Sequence, residues 1–250
     1  MCLILFAYQY HPDFPLIVAA NRDEFYQRPT QAAHFWPEVP AIFAGKDLTA
    51  GGTWMGINRQ GRFAAVTNYR ENRPAPTEAI SRGQLCSQFL LSSETTASYL
   101  DRIDQQKHRY QGFNLLAGTA EALYYYCNRQ GEIKPLTPGI YGLSNSLLNS
   151  HWPKVDAGKA ALENLISDTI NPEKILTLLF DQQQAVDTEL PNTGIDIELE
   201  RRLSSRFIRT ENYGTRSSTV LCVDRKGGAI WLEQSFDHAG ATGDIMLHRF

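Results

Sequence analysis

Two stretches near the start of the chain decide its fold: 1-MCLILFAY-8 and 16-LIVAANRDE-24. Each contains a short apolar run of the length of a β-strand. The segment between them carries His11, Pro12, Asp13 and Pro15, which are residues typical of turns. Two such runs joined by a short loop predict an antiparallel hairpin.

The predicted hairpin places Cys2 close to Arg22. If the loop is centred near Pro12, paired residue numbers sum to about 24, so Cys2 lies opposite Arg22 to within about two positions. Cys is small enough for Met1 to be removed in the cell, which would leave Cys2 with the free α-amine. We therefore predict a nucleophile and its base on one residue.

The pKa values of the two groups make this chemistry workable. An α-amine titrates at about 7.7–8.0, and when neutral it accepts a proton from the nucleophile, as in the N-terminal threonine enzymes. A free thiol titrates at about 8.5, and a cation such as Arg22 is expected to lower that pKa. The alternative is that Cys2 is a core residue of the strand, since free Cys is among the most buried residue types.

The composition excludes several classes of protein. The chain has 250 residues, of which 42% are hydrophobic and 20% charged, as in ordinary globular proteins, and we expect one domain over residues 1–250. The net charge of −3 argues neither for a nucleic-acid partner nor for an anionic membrane surface, and we expect no nucleic-acid partner. No run is long enough for stable membrane insertion, and no signal peptide is expected. These features predict a cytosolic or organelle-matrix protein, and we assign it to the cytoplasm.

Cysteine and histidine spacing predicts neither disulfides nor a bound metal. The four cysteines are far apart and form no Cys-x-x-Cys pair; they are Cys2, Cys86, Cys127 and Cys222. The six histidines show no metal-ligand spacing. We expect no cofactor.

Three turns predict a meandering antiparallel sheet or sheets. Each runs from Asn or Asp to Gly between two apolar runs, at residues 58–61, 128–131 and 224–228. Helices are predicted between the strand groups, at residues 82–91 with Ser81 as cap, 95–106, 152–166 and 172–183 with Asn171 as cap. Residues 25–40 are predicted to be loop-rich, and residues 187–200 to be a polar loop. This alternation is typical of an α+β protein with helices over the outer faces of packed sheets.

Three polar residues at strand ends are further candidates. The Asn145 amide could donate to a developing oxyanion, or it could satisfy its own turn. Asn68 has the same two interpretations. Arg216 precedes an apolar strand and could bind a carboxylate or a thiolate, or it could form a surface salt bridge.

The chain resembles the NRDE family, also called the transport and Golgi organisation protein 2 family. The motif Asn21-Arg22-Asp23-Glu24 gives that family its name. The other blocks follow in order over nearly the whole chain: Gly51-Gly52-Thr53-Trp54, Thr67-Asn68-Tyr69-Arg70, Gly112-Phe113-Asn114-Leu115, Gly142-Leu143-Ser144-Asn145 and Tyr213-Gly214-Thr215-Arg216. The resemblance implies an N-terminal-nucleophile hydrolase-like fold, a four-layer αββα sandwich of antiparallel sheets.

Within that superfamily the chain is distantly similar to choloylglycine hydrolases and penicillin V acylases. This similarity implies that Cys2 is the nucleophile, Arg22 its electrostatic partner and Asp23 the group that holds the α-amine. It implies that Asn145 is the oxyanion donor, with Asn68 a weaker candidate. A C-terminal arginine is also implied; Arg206 and Arg216 both match in part, and we favour Arg216. Residues in the same motifs are predicted to contact the substrate, namely Asn21, Asn68 and Trp54.

The resemblance leaves two classes of function open. The first is a cysteine amidohydrolase or acyl transferase that acts on a small acyl-type substrate. The second is a non-catalytic carrier or chaperone that binds haem or acyl-coenzyme A in the same pocket, since members of the family are tied to lipid metabolism and haem mobilisation. The sequence predicts no oligomeric state.

Overall fold

A computed structural model describes residues 2–250, and these residues form thirteen strands and five α-helices. In chain order they are β1 (Cys2–Tyr8), β2 (Leu16–Phe25), β3 (Thr30–Trp36), β4 (Val39–Asp47), β5 (Met55–Asn58), β6 (Phe63–Asn68), α1 (Gly83–Leu91), α2 (Thr96–Gln105), β7 (Phe113–Gly118), β8 (Leu123–Cys127), β9 (Ile133–Pro135), β10 (Gly139–Leu143), α3 (Pro153–Leu165), α4 (Pro172–Leu178), α5 (Ile197–Leu203), β11 (Tyr213–Val223), β12 (Ala229–Asp237) and β13 (Gly240–Arg249).

The chain divides into two compact units. The terminal unit comprises the chain up to Gln27, Pro138–Ser144 and Leu148–Phe250. The central unit comprises Arg28–Thr137 and Asn145–Leu147. The prediction of a single domain over the whole chain stays a prediction.

The terminal unit is built on a six-stranded antiparallel sheet in the order β10-β1-β2-β11-β12-β13. Residues alternate between the two faces of a strand, and Leu3, Leu5 and Ala7 of β1 bury their side chains against α3 and α4. That face is called the helix face below. The opposite face carries the even-numbered residues of β1 and β2, among them Ile4 and Phe6. The register of β1 with β2 pairs Cys2 with Arg22, which confirms the predicted hairpin and its register.

The central unit is a seven-stranded antiparallel meander in the order β3-β4-β5-β6-β7-β8-β9. Helix α1 packs on β4 to β7, and α2 packs near β9. The Asn58 side chain holds the first predicted turn, since its Oδ1 accepts from the Gln60 and Arg62 N–H groups. The Asn128 Oδ1 instead accepts from the Phe113 N–H, outside its own turn. The α+β class, the antiparallel sheets and the three predicted hairpins are confirmed. The stacking into four layers stays a prediction.

Four local predictions are wrong. The predicted loop at 25–40 contains β3, whose turn into β4 is fixed by a Trp36 Nε1 bond to the Ala44 carbonyl. Helix α1 begins after Arg82, with no side-chain cap from Ser81. Helix α4 keeps its Asn171 cap but ends at Leu178. The predicted polar loop after residue 187 contains α5, which Asp196 caps.

Among residues 2–250, no helix is long and apolar enough to cross a membrane.

Candidate functional site

The candidate nucleophile lies at the open end of the β1–β2 hairpin. Directly paired residues of neighbouring strands point to the same face, so Cys2 and Arg22 share the face opposite the helices. Arg22 is 5% exposed and Cys2 is half-buried. The Asp23 backbone N–H donates a hydrogen bond to the Cys2 sulfur. The predicted removal of Met1 concerns a residue outside those that the structure describes, and it stays a prediction.

The environment of Cys2 raises the pKa of its thiol. Burial disfavours the thiolate and is the largest cause, and the negative charge of Asp23 adds to it. The Arg22 guanidinium acts in the opposite direction but does not compensate. The predicted lowering of this pKa is therefore wrong, because the cost of burying a thiolate exceeds the attraction of the nearby cation.

Asp23 points to the helix face and is almost completely buried. Its Oδ1 accepts a hydrogen bond of 2.8 Å from the Thr215 hydroxyl, and its main-chain carbonyl accepts from the Tyr213 hydroxyl at 3.0 Å. Burial raises the pKa of the carboxyl group, while Lys154, the Thr215 hydrogen bond and Arg22 favour its ionised form. Asp23 is therefore a tightly held buried acid directly behind the Cys2 thiol.

Lys154 is a second buried charge that the sequence did not lead us to predict. It is 5% exposed, and its Nζ donates to the Leu203 carbonyl at 2.8 Å. A signal for its burial was present, because Lys154 belongs to the buried face of α3 together with Val155, Gly158 and Leu162. Its positive charge acts on Asp23 from the helix face.

Arg216 lies apart from the Cys2–Arg22 pair. A register shift between Thr215 and Ser217 leaves Arg216 as an extra residue in β11. Its guanidinium donates to the carbonyls of Phe25 and Tyr26 at 3.0 and 3.1 Å and to that of Phe236 at 3.2 Å. It thus ties the end of β2 to the neighbouring strands.

Arg206, the other candidate arginine, lies on the helix side of the sheet. Its guanidinium pairs with Asp181 and donates to the Leu178 carbonyl at 3.1 Å. The Arg206 and Asp181 side chains both border a cavity of about 590 Å³, and Lys154 lines the same cavity.

Asn21 is on the helix face, away from the Arg22 side chain. Its amide donates to the carbonyls of Leu179 and Arg206, both at 2.8 Å, and its Oδ1 accepts from the Ser218 hydroxyl at 2.6 Å. This side chain ties α4 and the segment before β11 to the sheet. The structure does not bring it together with Cys2 and Arg22.

The two predicted oxyanion donors lie together in the central unit. The Asn145 Nδ2 donates to the Asn68 main-chain carbonyl at 2.8 Å, and the Asn145 carbonyl accepts from the Arg70 N–H at 2.7 Å. Asn145 is 1% exposed. Trp54 is elsewhere in that unit, in the core that α1 covers, where its carbonyl accepts from the Cys86 thiol.

A row of hydroxyl groups continues from Cys2 and Arg22 across the sheet. Ser217 pairs with Arg22, Ser235 with Ser217, and Thr242 with Ser235, so all five side chains share one face. On the same face, the Thr219 hydroxyl donates to the buried Glu233 carboxylate at 2.9 Å. The sequence did not lead us to predict this row, because the register shift at Arg216 decides which residues of β11 face Cys2.

Within residues 2–250, no group of three or more His, Cys, Asp or Glu side chains is placed to hold a metal ion.

Comparison with known proteins gives clear relatives in sequence and weaker ones in structure. The family model described as Transport and Golgi organisation 2 matches residues 1–238. The chain is 36% identical over 258 residues to the Transport and Golgi organization 2 homolog of Mus musculus, covering 94% of this chain and 93% of the mouse protein. The homolog of Bos taurus is 39% identical over 260 residues, with the same coverage of 94% and 93%. Among solved structures, penicillin V acylase from Agrobacterium tumefaciens is similar with a TM-score of 0.46 and 10% identity, covering 98% of this chain and 85% of that chain.

Proposed function

The chain belongs to the Transport and Golgi organisation 2 family, and on that premise we propose that it is a cysteine hydrolase of the N-terminal-nucleophile type. Its substrate is an amide or thioester of a small acyl compound. The observation that carries the proposal is the direct pairing of Cys2 with Arg22, with the Asp23 N–H on the thiol sulfur. A nucleophile, a cation and a buried carboxylate thereby meet at one strand end.

The proposed reaction has two halves. The α-amine of Cys2, freed by removal of Met1, takes the thiol proton as the sulfur attacks the acyl carbonyl carbon and the carbonyl electron pair moves to oxygen. Collapse of this adduct breaks the bond to the leaving amine or thiol, which takes the proton from the α-ammonium group. Water then attacks the thioester with the amine as base, and the carboxylic acid leaves with the thiol restored.

The raised pKa of the Cys2 thiol supports a base that acts during the attack. A thiol whose pKa is raised by burial is protonated at neutral pH, so its proton has to be removed as the S–C bond forms. An α-amine with a pKa of about 7.7–8.0 suits this role at neutral pH. We propose that Asp23, held by Thr215 and next to Cys2 in the structure, orients that amine.

Asn145 is the proposed oxyanion donor, and Arg216 is a proposed positioning residue. The bond to the Asn68 carbonyl holds the Asn145 amide in place, and an amide N–H is a donor of the kind that stabilises an oxyanion. The bonds of Arg216 to the carbonyls of Phe25 and Tyr26 support a role in holding the end of β2, next to Asp23.

The experiment combines intact mass with acyl trapping. Protein made in cells is expected to lack Met1, and brief treatment with p-nitrophenyl acetate is expected to acetylate Cys2 ahead of the other three cysteines. Cys2→Ala should abolish nitrophenolate release, whereas Cys86→Ala, in a buried helix position, should retain it. Retention of Met1 on nearly every molecule, or equal acetylation of all four cysteines, would contradict the proposal.

The carrier of haem or acyl-coenzyme A stays the alternative prediction. Stoichiometric haem binding that is lost when one His or Cys is replaced would favour it over the hydrolase.

A further inference from the structure

The Ser217 side chain is an unusual polar group next to the candidate nucleophile. It is 5% exposed, and within the described residues its hydroxyl has no hydrogen-bond partner. Leaving a buried hydroxyl unsatisfied costs about 1–3 kcal/mol. Its neighbour Ser218 shows the usual arrangement, because that hydroxyl donates to Asn21 on the helix face. A buried unpaired group beside Cys2 and Arg22 points to a ligand that supplies the missing partner.

We propose that Ser217 binds a polar group in the acyl part of the substrate. This inference rests on the proposed function, and it deepens it by naming the acyl class: a chain that carries an amide or hydroxyl group a short distance from the scissile carbonyl. A plain alkyl chain does not fit, because it would cover the Ser217 hydroxyl without offering it a hydrogen bond.

The sheet geometry gives the position of that polar group. Cys2, Arg22 and Ser217 lie on three successive strands, so the Cys2 sulfur and the Ser217 oxygen are about 10 Å apart at about 4.8 Å per strand. Attack needs the carbonyl carbon about 3.3 Å from the sulfur, and a hydrogen bond to Ser217 spans about 2.8 Å. About 4 Å remain, which is about three bonds of an extended chain.

The burial of the row indicates that this part of the substrate is the acyl group. The leaving group has to depart and water has to enter after the first half-reaction, whereas the acyl group stays attached to Cys2. Arg22 and Ser217 are both 5% exposed. The part of the substrate that contacts them is therefore the acyl group, which stays attached to Cys2. Farther along the row Ser235 is half-buried and Thr242 is exposed, so a longer acyl chain reaches solvent past further hydroxyls.

The test uses p-nitrophenyl esters that differ only in the acyl group. The N-acetyl-β-alanyl ester has an amide nitrogen three bonds from the carbonyl carbon, and the hexanoyl ester has the same number of chain atoms without the amide. N-Acetylglycyl and N-acetyl-5-aminopentanoyl esters move the amide to two and five bonds. The readout is kcat/KM for each ester divided by its spontaneous hydrolysis rate, with the acylation of Cys2 followed by mass.

Ser217→Ala is expected to lower kcat/KM for the N-acetyl-β-alanyl ester by about tenfold and to leave the hexanoyl ester within about twofold. The other two amide esters should show a smaller effect. Thermal stability should stay unchanged or rise, since the removed hydroxyl has no partner. The matched control is Ser218→Ala, which lowers the melting temperature by breaking the bond to Asn21 but keeps the preference between esters.

The outcomes separate the two proposals. If Cys2 is acylated by all four esters with equal loss or no loss in Ser217→Ala, the hydrolase proposal stands and the role of Ser217 is overturned. If no ester acylates Cys2, both are overturned.

Discussion

Arg22 and Asp23 are neighbours in sequence, yet their side chains lie on opposite faces of β2 and act on Cys2 in opposite senses. Arg22 lowers the pKa of the Cys2 thiol and Asp23 raises it. Burial, which raises it further, is the largest of these effects. The two residues of the motif therefore have different roles: Arg22 stabilises negative charge on the face opposite the helices, and Asp23 is held among Thr215 and Lys154 on the helix face.

The first prediction concerns the alkylation of Cys2 with iodoacetamide across a pH series. Arg22→Gln should raise the pKa of the thiol and Asp23→Asn should lower it, because the first removes a positive charge and the second a negative charge near the sulfur. Peptide mapping after brief labelling measures both. Cys222 is the internal control, because burial raises the pKa of its thiol to about 12. Shifts of the same sign in the two variants would show that neither charge acts directly on Cys2.

The second prediction is the pH dependence that Asp23 gives to stability. Its carboxyl group has a raised pKa in the folded protein, so between the unfolded value of about 3.9 and the folded value the native state binds more protons. The free energy of unfolding of the wild type, relative to Asp23→Asn, should therefore fall as the pH rises from about 4 through that window. Urea unfolding at several pH values measures it. A difference that is constant or grows with pH would contradict the raised pKa.

At the scale of elements, single residues in β11 and before β5 decide how neighbouring segments of the chain pack. The extra residue at Arg216 shifts the register of β11, so that Ser217 and not Arg216 lies beside Arg22 on the face opposite the helices. Gly51 and Gly52 precede β5, and the backbone at Gly52 makes a close approach. The close approach is to the chain itself, because a Cβ on Gly52 would lie 2.6 Å from the Gly83 carbonyl oxygen at the start of α1.

The third prediction compares these two glycines. Gly52→Ala should cost about 2–3 kcal/mol, since backbone atoms at the start of α1 would have to move. Gly51→Ala should cost about 1 kcal/mol: its φ of 75° is unfavourable for Ala, but no atom within 4 Å opposes the added carbon. Urea unfolding of both variants tests the order. Equal losses in the free energy of unfolding would mean that the backbone at Gly52 is not packed tightly against the start of α1.

At the scale of the whole molecule, the two ends of the chain build one sheet. Strand β2 lies between β1 and β11. The motif at residues 21–24 therefore pairs with a strand that begins at Tyr213. Contacts of such long sequence separation form late and slow folding. The candidate site therefore depends on a segment that is about 190 residues away in the chain.

The fourth prediction follows from this closure. A chain that ends after Asn212 lacks β11, β12 and β13, which leaves β2 paired only with β1 and Asp23 without Thr215. We expect it to lose cooperative thermal unfolding and to label Cys2 and Cys86 at similar rates. A control that removes only His248–Phe250, at the end of the edge strand, should keep both properties. Cooperative unfolding of the shorter chain would contradict the dependence of the site on β11.

The features that the sequence predicted correctly depend on local contacts. The features that it did not predict depend on contacts between residues far apart in the chain. The hairpin and the Cys2–Arg22 register depend on two apolar runs and the turn between them, all within Cys2–Phe25, and they were predicted correctly. The face of Asn21 depends on its bonds to Leu179 and Arg206, and no local pattern encodes those partners. The pKa of Cys2 was predicted with the wrong sign, because the sequence shows the charge of Arg22 but not the degree of burial.

The position of Cys2 at the first residue of β1 has a practical consequence for how the protein is produced. An affinity tag fused ahead of Met1 would keep the nitrogen of Cys2 in a peptide bond, where it cannot accept a proton from the thiol. Such a preparation would be inert under the proposed chemistry. Tags therefore belong at the other terminus, where β13 forms the edge of the sheet and Arg249 is exposed.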